Sequence, residues 1–159
     1  MPASTVDVVQ ALRATELFRN FTDTGLQIIG SIAQVKDVPP GTPLFVENMI
    51  GDSLYVIAEG RIRLAVRTPD GREISLSVLS SPASLGEAAL LRSGPRMCSA
   101  TAEAFSTVVE ISRRDMAQLQ RSKPQAVLKL MMSVVDTVAD RVRTIEPDLK
   151  QFLVWKAQG

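Results

Sequence analysis

The sequence predicts an α+β chain: an antiparallel β-roll of jelly-roll type, with helices before it, one short helix within it and a long helix after it. Three observations predict this. The middle of the chain is a series of short β-rich runs separated by turn signals. One stretch of good helix formers interrupts that series. The last third carries apolar residues at alternating spacings of three and four.

The elements follow in order. Thr5–Leu17 reads as a helix with Val6, Val9 and Leu12 on one face. Thr22–Ala33 reads as a second helix, with Thr22 as its N-cap. Short strands are expected at Leu44–Val46, Leu54–Ile57, Ile62–Val66, Ile74–Val78 and Thr107–Ile111. Pro69-Asp70-Gly71 makes a hairpin turn between the third and fourth of these. Ser112 caps a helix to Leu119, and Pro124 begins the long helix, at a position where its missing N–H costs nothing. Leu128, Met131, Val135, Val138, Val142 and Ile145 form a heptad seam, and Val127, Leu130 and Val134 a second apolar stripe. One stripe is expected to pack on the roll and the other on a partner helix, from a second copy. Pro147 is expected to end the helix and the tail to dock on the roll. The divisions are thus 1–34, 35–111, 112–146 and 147–159, all within one domain.

Composition narrows the chemistry. The chain has no histidine, which removes His-ligated metal sites and His-dependent nucleophilic triads. The lone Cys98 reads as a small hydrophobe rather than a nucleophile. A net charge of +1 gives no ground for expecting a nucleic-acid or membrane coat. The apolar runs are too short for a membrane span, and a lone cysteine without a secretory leader points to the cytoplasm.

The interrupting segment, residues 85–100, carries the chemistry. It reads Leu-Gly-Glu-Ala-Ala-Leu-Leu-Arg-Ser-Gly-Pro-Arg-Met-Cys-Ser-Ala. Gly86 permits close backbone approach, and a short helix begins at Glu87 with free N–H groups. Arg96 can meet a phosphate with two N–H groups at once, and Glu87 can accept a hydroxyl. A cation, a helix start and a carboxylate match a ribose bearing a singly charged cyclic phosphate.

This segment resembles the phosphate-binding cassette of cyclic-nucleotide-binding domains. Gly51-Asp52-Ser53-Leu54-Tyr55-Val56-Ile57 with Glu59-Gly60 is similar to that family's strand and turn before the cassette. Leu17-Phe18-Arg19-Asn20-Phe21 is similar to its entry segment, and the likeness runs from about Leu17 to Val142. The resemblance implies that Arg96 holds the exocyclic phosphate oxygens and that Glu87 with the Gly86 backbone holds the ribose 2′-hydroxyl. It implies that the Ala88 and Ala89 N–H groups face the phosphate, with the Met97 N–H beside them. Arg141 falls where the purine meets the long helix. It either reads the base or serves as a solvated arginine beside Asp140.

The resemblance implies a non-enzymatic regulatory sensor for cAMP or cGMP, with no cofactor, acting through a homodimer or a protein effector. The missing guanine-reading hydroxyl at Met97 favours cAMP modestly. The 14 residues after Ile145 are too few for a DNA-reading module, so direct DNA binding is not expected. A second reading keeps the fold without the ligand, as a protein-interaction or dimerisation module. A roll-type enzyme is the remotest of the three readings.

Overall fold

The computed structural model describes residues 5–158; Met1–Ser4 and Gly159, included in the expected first and last divisions, lie outside the described residues. Asp7 caps α1 (Val8–Arg13), its carboxylate accepting from the Gln10 N–H at 3.2 Å. This helix is shorter than the sequence span suggests. Thr15 is extended and gives its hydroxyl to the Ala11 carbonyl, which stops the helix and leaves a separate 3-10 turn at Glu16–Phe18. Thr22 caps α2 (Asp23–Gly30) as expected, accepting from the Gly25 N–H.

The roll follows. Its strands are β1 (Gln34–Val38), β2 (Pro43–Phe45), β3 (Ile50–Gly51), β4 (Ser53–Glu59), β5 (Arg61–Arg67), β6 (Glu73–Ser80) and β7 (Ala83–Leu85). The short helix α3 (Ala88–Leu91) comes next, then β8 (Gly94–Pro95), β9 (Ser99–Ala102) and β10 (Ser106–Ser112). Every pairing is antiparallel. Two four-stranded sheets, ordered β1-β10-β4-β7 and β2-β9-β5-β6, face one another, and β3 pairs with β8 at the rim. The hairpin at Pro69-Asp70-Gly71 joins β5 to β6 as the turn residues predict.

β4 divides the core by its period of two. Leu54 and Val56 face the helices, with Leu12, Phe18, Leu26, Ile29 and Leu130 in that cluster. Tyr55 and Ile57 face the roll interior, with Val38, Ile62, Leu85 and Ala100. Each fully buried aliphatic side chain contributes about 1.5–3 kcal/mol of transfer free energy, so β4 ties the two clusters into one cooperative body.

Ser112 caps α4 (Arg113–Ser122), and Pro124 opens α5 (Pro124–Gln158), which is 35 residues long. Val127, Leu130 and Val134 are buried against the roll, as the second stripe predicts. Leu128, Val135, Val142 and Ile145 are exposed, while Met131 and Val138 lie partly against the core. Pro147 does not end the helix: it lies within α5. The lost N–H affects a solvated stretch where water can satisfy the freed carbonyl, and Lys150 reaches back across the proline to Glu146 at 2.9 Å. The tail therefore does not dock on the roll. Phe152, Leu153, Val154 and Trp155 are exposed on the extended helix, where Phe152 packs beside Trp155 at 5.9 Å between ring centroids. No helix among the described residues is long and apolar enough to cross a membrane.

Candidate functional site

Arg96 lies where β8 ends, and the local sequence fixes it there. Its N–H donates to the Met49 carbonyl and its own carbonyl accepts from the Asn48 N–H, both at 2.8 Å. The loop before β3 is thereby stitched to the cassette. The guanidinium turns inward and is 8% exposed. Its Cζ stands 4.2 Å from the Phe45 ring centroid and 5.8 Å from that of Tyr55. Nη2 donates to the Ser53 carbonyl at 2.9 Å, and Nε has no partner among the described residues.

Two glycines make the slot. A Cβ on Gly51 would lie 2.0 Å from Arg96 Nε, and one on Gly86 2.7 Å from Nη1. Gly86 also has φ of +76°, which a side chain would strain. Phe45, Met49, Ile50, Gly51, Tyr55 and Arg96 line a cavity of about 350 Å³. A buried guanidinium with an orphaned N–H and no carboxylate partner has charge to offer an anion.

Glu87 is at the start of α3 and is 1% exposed. Ser84 donates its hydroxyl to Oε1. Arg141 donates Nη1 to Oε2 at 2.6 Å and Nη2 to Oε1 at 2.9 Å, and Nη2 also approaches the Ser84 carbonyl at 3.3 Å. Arg141 is thus held by Glu87 and not by Asp140, which instead lies 3.8 Å from Arg143. Beside this pair, Thr15, Arg19, Pro82, Asp136 and Asp140 line a cleft of about 320 Å³ between the 3-10 turn, β7 and α5.

Gly86 comes up against Arg96, while the next residue, Glu87, is held by Arg141 from α5. The Ala89 N–H donates to the Gly86 carbonyl at 3.1 Å, closing the turn. Ala88 is exposed, and the Met97 side chain is 90% exposed. Cys98 is half-buried, and burial raises its thiol pKa. Sequence reasoning missed Ser84, Phe45 and the wall formed by Gly51. Ser84 lies in β7 and Glu87 is itself the N-cap of α3, so their spacing is not a capping box and marked nothing in the sequence. The other two act only through a fold that brings β2 and β3 to the cassette.

Two sheets holding a buried cation, with two glycines beside it and a carboxylate at the start of a short helix, define a β-roll with a slot shaped for an anion. The chain belongs to the cyclic nucleotide-binding domain family, whose model matches residues 35–123. It is 25% identical over 150 residues to a CRP-like cAMP-activated global transcriptional regulator of Mycobacterium tuberculosis, covering 94% of this chain and 65% of that one. It is 33% identical over 104 residues to a cGMP-dependent protein kinase of Toxoplasma gondii, covering 65% of this chain and 10% of the kinase. The N-terminal domain of a transcriptional regulator from Streptomyces coelicolor superposes with a TM-score of 0.74 at 28% identity, covering 87% of this chain and 94% of that one. The chain thus spans under two thirds of the length of the transcriptional regulator.

Proposed function

We propose that the chain is a regulatory domain that binds a cyclic nucleotide without catalysis and signals through a second copy or a protein effector. The observation that carries this reading is Arg96: a buried guanidinium, walled by Gly51 and Gly86, with an N–H that nothing among the described residues satisfies. A cyclic phosphate supplies the missing anion and acceptor. The ribose 2′-hydroxyl goes to Glu87, and the purine lies toward α5 and Arg141. The absence of histidine and the regulatory relatives support binding rather than turnover. Met97 offers no hydroxyl to guanine, which supports a modest preference for cAMP.

A second reading rests on the Arg141–Glu87 pair. It occupies the carboxylate that a ribose needs, as expected of a domain that keeps the fold for protein interaction alone. A thermal-shift series with cAMP, cGMP and cyclic dinucleotides separates the two. A bound nucleotide at one hundred times its dissociation constant stabilises the folded state by about 2.7 kcal/mol. No shift with any of them overturns the sensor reading. Competition between cAMP and cGMP on native protein and on Met97→Thr tests selectivity. The variant is expected to move toward cGMP.

A further inference from the structure

The Arg96 guanidinium has two flanks of different chemistry. On one flank Nη1 faces Gly86, next to the start of α3, where the proposed nucleotide sits. On the other flank Gly51 lies against Nε, and Gly51 is also part of the wall of the 350 Å³ cavity. Neither Gly86 nor Glu87 lines that cavity. Its wall is built from β2, β3, the loop between them and β4, and most of it is apolar: Phe45, Val46, Met49, Ile50 and the Tyr55 ring. Ribose hydroxyls and purine nitrogens would find few partners there. The Tyr55 hydroxyl already donates to Glu110 at 3.2 Å, and Asp52 is exposed at the rim. Arg96 is the one cation on the wall.

We propose that this cavity binds an apolar monocarboxylate, with the carboxylate on Arg96 from the Gly51 side and the hydrocarbon against Phe45, Val46, Met49 and Ile50. Two independent observations carry it. The first is the buried charge: Arg96 is 8% exposed, Nη2 is taken by the Ser53 carbonyl, and Nε has no partner among the described residues. A buried donor of this kind calls for an acceptor, and a charged one for an anion. The second is the rim, where Met49 is 60% and Ile50 71% exposed. Exposed apolar side chains gathered around one cavity mark a surface that an apolar ligand covers. A single orphaned N–H suits one carboxylate oxygen, and Asp52 at the rim opposes a second negative charge on the ligand. The site goes beyond the proposed nucleotide site but shares its guanidinium. Two anions on one cation oppose each other, so each ligand weakens the other by the same factor.

The test is calorimetry with octanoate on protein free of nucleotide. Octanoate is expected to bind one to one, and each methylene added between butyrate and octanoate to tighten binding about threefold to fourfold. Octanol, the same chain without the charge, should bind at least about tenfold more weakly. Ile50→Ser should weaken octanoate about tenfold by removing apolar contact at the rim. Ile74→Ser, which removes an exposed apolar side chain on β6 away from the cavity, should leave it unchanged. Saturating octanoate should raise the apparent dissociation constant of cAMP. Absence of octanoate binding overturns the proposal and leaves the nucleotide reading standing. Octanol binding as tightly as octanoate removes Arg96 from the site and overturns it. Equal losses in Ile50→Ser and Ile74→Ser reduce the binding to surface adhesion and overturn it as well. Unchanged cAMP affinity in saturating octanoate overturns the shared guanidinium. Octanoate binding in a protein that ignores cAMP supports the carboxylate site and overturns the nucleotide reading alone.

Discussion

Arg141 and Glu87 stand 54 residues apart in sequence and meet in a two-pronged ion pair, Nη1 to Oε2 at 2.6 Å and Nη2 to Oε1 at 2.9 Å. The pair fastens the middle of α5 to the cassette. Its carboxylate side is buried and its guanidinium side is partly solvated. Arg141→Ala leaves the Glu87 charge without its counter-ion. That should cost roughly 1–2 kcal/mol of stability, below the figure for a fully buried pair because the cation is half in water. Urea denaturation of native and variant protein measures it. An unchanged midpoint would show that the pair contributes nothing to the fold.

Arg96→Ala should remove cyclic-nucleotide binding while the protein stays folded. Charge-assisted hydrogen bonds to phosphate are worth about 1.5–3 kcal/mol each, so losing two weakens binding roughly a hundredfold or more. The folded state loses one hydrogen bond to Ser53 and the contact over Phe45. Calorimetry with circular dichroism as a folding control decides it; unchanged affinity would remove Arg96 from the site.

Gly51→Ala should act on the same slot without touching a charge. The added Cβ would fall 2.0 Å from Nε and 2.4 Å from Cζ of Arg96, so the guanidinium must move. We expect at least a tenfold loss of nucleotide affinity, a shift of about 1.4 kcal/mol, with the fold retained. Titration of the variant with cAMP checks this against Gly94→Ala, where an added Cβ would meet open space.

Replacing Val135 and Val142 together by glutamate should give monomers in sedimentation at concentrations where native protein dimerises. Both side chains are exposed on the single chain, so their loss should leave the core intact. Charges opposite each other in an apolar seam disfavour association by several kcal/mol. A native protein that is monomeric at high concentration would assign the seam no partner.

Tyr55 should make the fold alkali-sensitive. Burial first, and the neighbouring Glu110 second, push its phenol from about 10 up to about 12. The folded state therefore holds the proton more tightly than the unfolded chain. Its contribution to stability is complete below pH 10 and is lost as pH rises toward 12. Tyr55→Phe, which has no proton to lose, should show a shallower fall of Tm between pH 10 and 12. Parallel slopes for the two proteins would disprove the assignment.

The sequence by itself determined the architecture, because period and punctuation are local. Thr22, Ser112 and Pro124 mark helix starts by what their own side chains do to nearby backbone groups. Pro69-Asp70-Gly71 sets a hairpin through its own dihedral preferences. The cassette was legible because Gly86, Glu87 and Arg96 lie within one short stretch. Tertiary structure alone decided three things. Thr15 ended the first helix early, and Pro147 failed to end the last, because each outcome turned on competing hydrogen bonds and solvent access that spacing does not encode. The Arg96 slot was decided by β2 and β3, which bring Phe45 and Gly51 to a residue far along the chain. The Arg141–Glu87 pair was decided by where α5 crosses the roll. A long-range ion pair depends on where two backbones place their side chains, and no single stretch of sequence carries that information.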